Sequence, residues 1–163
     1  MQDEIPEVTA YHEAGHAFVA VFLGARVRTI TLEPHWDDGP ARYADVQVEL
    51  SRNGLSDKEV REKSILIALS GPVAEMIYRG EPYHPGLVPE WAADWKLAWS
   101  DAGKILLDER KRLRFLEQVT VELYRLLERD QHWAAVAALA DNLLAHETLE
   151  EEAVMDILDA WMP

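Results

Sequence analysis

Five residues near the start of the chain, His12-Glu13-Ala14-Gly15-His16, have types and a spacing that could do chemistry. The pattern is H-E-x-x-H, which on a helix sets two imidazoles at i and i+4, one turn apart on the same face, a separation that suits two ligands of a single zinc ion. Glu13 projects from a neighbouring part of that face, where a carboxylate too distant to ligate can hold and deprotonate a water in the open coordination position. The chemistry expected is metal-assisted hydrolysis. A five-residue pattern of this kind also arises by chance on solvent-facing helices; the helical context, the small Ala14 and Gly15 and the apolar flanks favour a site.

A catalytic zinc takes a third protein ligand and keeps a position open. The chain has no cysteine, so the third ligand must be His, Asp or Glu, and spacing alone leaves Glu75, Asp94, Asp101, His35 and His84 all in play. His35 and His84 fall in loops and read first as turn residues. His132 and His146 lie on C-terminal helices far from the motif, where a lone histidine is usually structural or exposed.

These residues have to be carried by regular elements. Val8, Tyr11, Phe18, Val19 and Phe22 recur at helical spacing over residues 7–23, with Gly24 as the left-handed stop, so the motif sits inside a first helix. Two alternating stretches, residues 27–32 and 43–50, read as strands of a small sheet, separated by a turn-rich segment at 34–40. Ser56 with Glu59 forms a capping-box pattern that opens a long helix running to Gly80. After a proline-rich connector at 82–89, helices are expected over about 90–107, 108–128, 131–146 and 149–161, the last capped by Thr148 and Glu151. The fold class is therefore mainly α with a small β-sheet: a zincin-like H-E-x-x-H helix followed by a C-terminal helical bundle, in one domain spanning 1–163. Trp91, Trp95 and Trp99 make a stripe at i, i+4, i+8 that reads as packing or subunit contact, and the basic run 110–114 as a solvated helix face.

Composition narrows the partners. With 16 Lys+Arg against 30 Asp+Glu the formal charge is −14, which repels nucleic-acid phosphates and anionic lipid headgroups. The absence of cysteine fits either a reducing compartment or indifference to redox, no apolar run approaches the length of a membrane span, and the acidic N-terminus is unlike a signal peptide; a soluble, cytoplasmic protein without direct membrane insertion is expected.

Thr9-Ala10-Tyr11-His12-Glu13-Ala14-Gly15-His16-Ala17 resembles the opening of the peptidase domain of the FtsH family of membrane-tethered, ATP-dependent zinc proteases. Residues 27–34 are similar to that family's Val-x-x-Ile-Thr-Ile-x-Pro strand, residues 69–77 to its Gly-Gly-Arg-Ala-Ala-Glu-Glu helix segment, and residues 143–149 to its Leu-Leu-x-x-Glu-Thr-Leu ending, so the resemblance covers essentially the whole chain. It implies that the third ligand is an Asp at the start of a helix, followed by Ala at the fourth and eighth positions, a register met by Asp94 with Ala98 and Ala102 and not by Asp101. It also implies that Glu75 is a buried acid orienting an imidazole, and that a sheet edge, strand 43–50, lies beside the metal. The family's Gly-Ala-Ser-Asn-Asp approach to the ligand is replaced here by Glu90-Trp91-Ala92-Ala93-Asp94.

No G-x-x-x-x-G-K-[ST] phosphate loop is present in the sequence, so the expectation is a stand-alone peptidase domain without the ATPase and transmembrane segments of those proteases. The expected activity is a zinc metalloendopeptidase with metal on His12, His16 and Asp94 and Glu13 as general base, acting without its own ATPase on flexible or unfolded polypeptides. A separate ATPase or adaptor would be needed for folded substrates, and the ring assembly of FtsH-like domains extends to this chain the expectation of a homo-oligomer. The competing reading is a catalytically silent peptide-binding or regulatory module, against which the retained Glu13 argues.

Overall fold

A computed structural model describes residues 6–33 and 45–162. The elements follow the order α1 (Pro6–Phe22), β1 (Arg26–Thr31), β2 (Asp45–Glu49), α2 (Asp57–Arg79), α3 (Ala92–Ile105), α4 (Glu109–Leu127), α5 (Asp130–His146), β3 (Thr148–Glu150) and α6 (Glu151–Trp161). The protein is mainly helical, with a three-stranded antiparallel sheet in the order β2-β1-β3. The predicted turn at 34–40, including His35, and the first residues of the predicted second strand lie outside the described residues. No described helix is long and apolar enough to cross a membrane.

Local signals set most boundaries. Gly24, at φ +88°, stops α1 and lets Ala25 N–H reach back to Ala20 O at 2.8 Å. The capping box opens α2: Ser56 Oγ accepts from Glu59 N–H at 3.1 Å while the Glu59 carboxylate accepts from Ser56 N–H. In the connector the prolines enforce two short 3-10 turns, Pro85–Leu87 and Pro89–Trp91, so α3 starts at Ala92. β1 carries a bulge between Val27 and Thr29, which turns both Val27 and Ile30 into the core although they are an odd number of residues apart.

One expectation is corrected. Thr148 does not cap the last helix: Thr148–Glu150 is a strand, with Thr29 opposite Glu150, Ile30 opposite Leu149 and Thr31 opposite Thr148. The capping pattern is local and weak, whereas pairing with β1 satisfies a whole row of backbone groups and buries Leu149. The basic run at 110–114 also does more than face solvent, because Arg112 stacks on Trp99 at 4.6 Å from the ring centre and donates to the C-terminal carbonyls Leu106 O and Leu107 O.

The core is built around the α1/α2 pair, with α5 laid along α1, and α3 and α4 along α2. Small residues are frequent in this core: Ala10, Ala14 and Ala17 of α1 are fully buried, as are Ala98 and Ala102 of α3. At the tightest point a Cβ on Gly15 would stand 2.5 Å from Ala74 Cβ and 2.6 Å from Ser70 O. The Ser70 carbonyl is backbone and cannot swing aside, so Gly15→Ala must push the helices apart. Overpacking of this sort costs about 1–3 kcal/mol, and urea denaturation followed by circular dichroism should show a loss of that size relative to wild type.

Candidate metal centre

The α1/α2 crossing places the two histidines of α1 against the middle of α2. His16 Nδ1 lies 2.7 Å from Ile67 O, and a carbonyl can only accept, so Nδ1 carries the proton and Nε2 offers its lone pair outward. His12 Nδ1 lies 3.1 Å from Glu75 Oε2, which fixes the same tautomer by the same logic. Both Nε2 atoms therefore point to one spot, 3.1 Å apart.

Asp94 reaches that spot from the first turn of α3, where the helix N-terminus favours a negative charge. Its Oδ2 is 2.9 Å from His12 Nε2 and its Oδ1 is 3.5 Å from His16 Nε2. Four-coordinate zinc with bonds of about 2.0–2.1 Å holds neighbouring donors roughly 3.3 Å apart, so the donor set fits that ion in both chemistry and spacing. Among the described residues, His12, His16 and Asp94 are the group of His, Asp and Glu side chains that could hold a metal.

Electrostatics point the same way. Burial works against charge on both rings, but the hydrogen bonds that the charged ring donates to Asp94 and Glu75 outweigh it at His12, and the charge of Asp94 does so at His16, so both rings are more basic than usual. Burial likewise opposes ionisation of Asp94, yet the charge on His16 and the hydrogen bonds with both imidazoles hold its carboxyl well below the usual range. The cluster is a place where positive charge is stabilised. Glu13, buried on α1, stands outside this donor group; burial pushes its carboxyl up against the pull of His12 and His16, with Asp94 and Asp45 adding to the rise.

The other candidate ligands go elsewhere. Glu75 meets the far nitrogen of His12 rather than the convergence point, and its Oε2 also accepts from the indole N–H of Trp91. Asp101 is engaged by Ser64 Oγ at 2.7 Å and Arg61 Nη1 at 3.0 Å. His84 accepts from Gly86 N–H and lies 3.2 Å from Glu117, His132 is buried with Nδ1 donating to Leu126 O at 2.7 Å, and His146 is exposed at the end of α5.

Sequence reasoning missed two contributors. A Cβ on Gly71 would sit 2.3 Å from His16 Nε2 and 2.7 Å from His12 Nε2, so only glycine leaves room for the rings here. The signal was available: Gly71-Pro72 inside a long helix is costly by propensity, and such a cost needs a reason. Ile67 O, which orients His16, is a main-chain atom and carries no sequence signal.

A pair of imidazoles one turn apart, a carboxylate from a separate helix and a buried glutamate beside the first histidine make an arrangement that could hold a zinc ion. The known proteins that the chain resembles are zinc metalloproteases by name. The chain is 25% identical, over 97% of its length, to the ATP-dependent zinc metalloprotease FtsH 2 of Methylacidiphilum infernorum, and 27% identical, over 98% of its length, to the ATP-dependent zinc metalloprotease FtsH of Acidimicrobium ferrooxidans. Half of the chain is 32% identical to a chloroplastic ATP-dependent zinc metalloprotease FTSH of Capsicum annuum. The chain spans 30%, 29% and 12% of the lengths of these three relatives, respectively. No protein-family model matches it. The chain is thus similar, at low identity and over nearly its whole length, to FtsH zinc metalloproteases.

Elemental analysis of the purified protein should find about one zinc per chain, lost in His16→Ala and in Asp94→Ala but kept in Asp101→Ala. Zinc retained in Asp94→Ala would place the third ligand elsewhere.

Proposed function

We propose that the chain is a zinc-dependent endopeptidase that hydrolyses peptide bonds in flexible or unfolded polypeptides. The observation that carries this reading is the convergence of His12 Nε2, His16 Nε2 and the Asp94 carboxylate on one point, with Glu13 buried on the same helix as the two histidines. Zinc held there would act as a Lewis acid toward the scissile carbonyl and lower the pKa of water.

The protein's own groups supply the rest. Glu13 accepts a proton from the attacking water and passes it to the leaving amine, and burial suits it to both halves of that cycle by drawing its affinity for protons toward neutral pH. Glu75 and Ile67 O keep both imidazoles in the tautomer that presents Nε2. Among the described residues β2 is paired on one side only, by β1, and Asp45 at its start is close enough for its charge to act on Glu13. An extended segment of substrate adding to that edge would run beside the base. Only a chain without its own secondary structure can bind so, hence the preference for unfolded substrates.

Hydrolysis by water needs no nucleotide, so cleavage of an unfolded substrate such as reduced casein should proceed without ATP. It should stop with a zinc chelator, and a stably folded substrate should resist unless an unfolding partner is supplied. Glu13→Gln should reduce cleavage by about 10²–10⁴-fold while leaving the zinc content unchanged. Wild type that cleaves no faster than a chelated control would sink the peptidase reading.

A further inference from the structure

Glu75 Oε2 receives two donors, His12 Nδ1–H at 3.1 Å and the indole N–H of Trp91, while its Oε1 faces Arg79 at 3.7 Å. Trp91 is only 3% exposed, stacks edge-on against Tyr83, and is the residue from which α3 starts, three positions before Asp94. One residue therefore bears on both halves of the donor set: its backbone begins the helix that carries Asp94, and its ring grips the acid that holds His12. Trp95 and Trp99, on the same stripe, touch neither; they stack on each other and line an open groove with His84, Leu87 and Leu113.

We propose that Trp91 is a positioning residue for the metal-binding histidine: its indole N–H fixes the Glu75 carboxylate, and Glu75 in turn fixes the ring of His12. The physical case is one of rotational freedom. A glutamate has three side-chain torsions, and one hydrogen bond to His12, with the half-exposed Arg79 no nearer than 3.7 Å, holds its carboxylate loosely. A second donor on the same oxygen, delivered by a buried two-torsion aromatic, narrows that freedom. Outer groups of this kind commonly change metal affinity by about 10–100-fold when lost. The segment 90–93, where this sequence departs from the pattern it otherwise resembles, thus acquires a function of its own.

The inference rests on the metallopeptidase reading and is tested through zinc affinity rather than turnover. Zinc dissociation constants, measured by competition with a chromophoric chelator, should rise by about 10-fold in Trp91→Phe, which keeps a ring and loses the N–H. In a Glu75→Leu background the indole has no carboxylate to hold, so adding Trp91→Phe should change affinity by less than about twofold. An equal loss in both backgrounds would mean that Trp91 merely supports α3, and no loss in either would mean that the hydrogen bond is idle; each overturns the proposal while leaving the peptidase reading in place. Wild type that binds no zinc overturns both. Should Trp91→Phe fail to fold, hydrogen exchange of the Trp91 indole proton decides the matter: exchange slowed in wild type and fast in Glu75→Leu supports the bond, and equal rates overturn it.

Discussion

Everything at the candidate centre depends on how closely the backbones of α1 and α2 approach. Gly15 lies under Ser70 O and Ala74, and Gly71 lies under the rings of His12 and His16, so that the two helices can come near contact. Were the helices spaced by ordinary large side chains, the imidazoles would not meet Ile67 O and Glu75 at hydrogen-bonding distance, and their tautomers would be free. The pair also explains the arrangement around it. A face made of small residues buries little apolar area by itself, and the larger side chains of α4 and α5, such as Leu116, Leu123, Leu139 and Leu143, supply the bulk of the core from outside.

A second constraint is the cost of placing acids and imidazoles out of water. Unpaired, they would be expensive, yet no buried side-chain polar atom among the described residues lacks a partner. At the candidate centre three of them are satisfied by elements distant in sequence: His16 by α2, His12 by α2 and α3, and Glu75 by α1 and the turn before α3. The polar cluster therefore specifies how three helices meet, as well as what they can do.

How much of this was legible in advance depended on distance along the chain. The motif helix, its Gly24 stop and the Ser56–Glu59 box could be read because their causes lie within a few residues. The pairing of Asp94 with His12 spans 82 residues and entered only through resemblance to a known pattern, since Asp101 offers the same chemistry at a similar distance. The same limit accounts for Thr148, whose strand partner Thr31 is 117 residues away and outcompetes a cap visible nearby. Trp91 looked like one more member of an aromatic stripe; its burial could be anticipated, but the direction of its N–H could not.

The placement of β3 carries a consequence for the order in which the sheet is built. β1 follows α1 directly, yet its second edge is covered only by residues 148–150, and Leu32 N–H closes on Glu147 O at 2.8 Å. β1 can pair with β2 from nearby in the sequence, but its second edge stays open until residues 147–150, far along the chain, reach it. Contacts of such long sequence separation form late and slowly. Closing the sheet is therefore a late event in folding, and until it happens β1 keeps a row of backbone groups open to pairing with another chain.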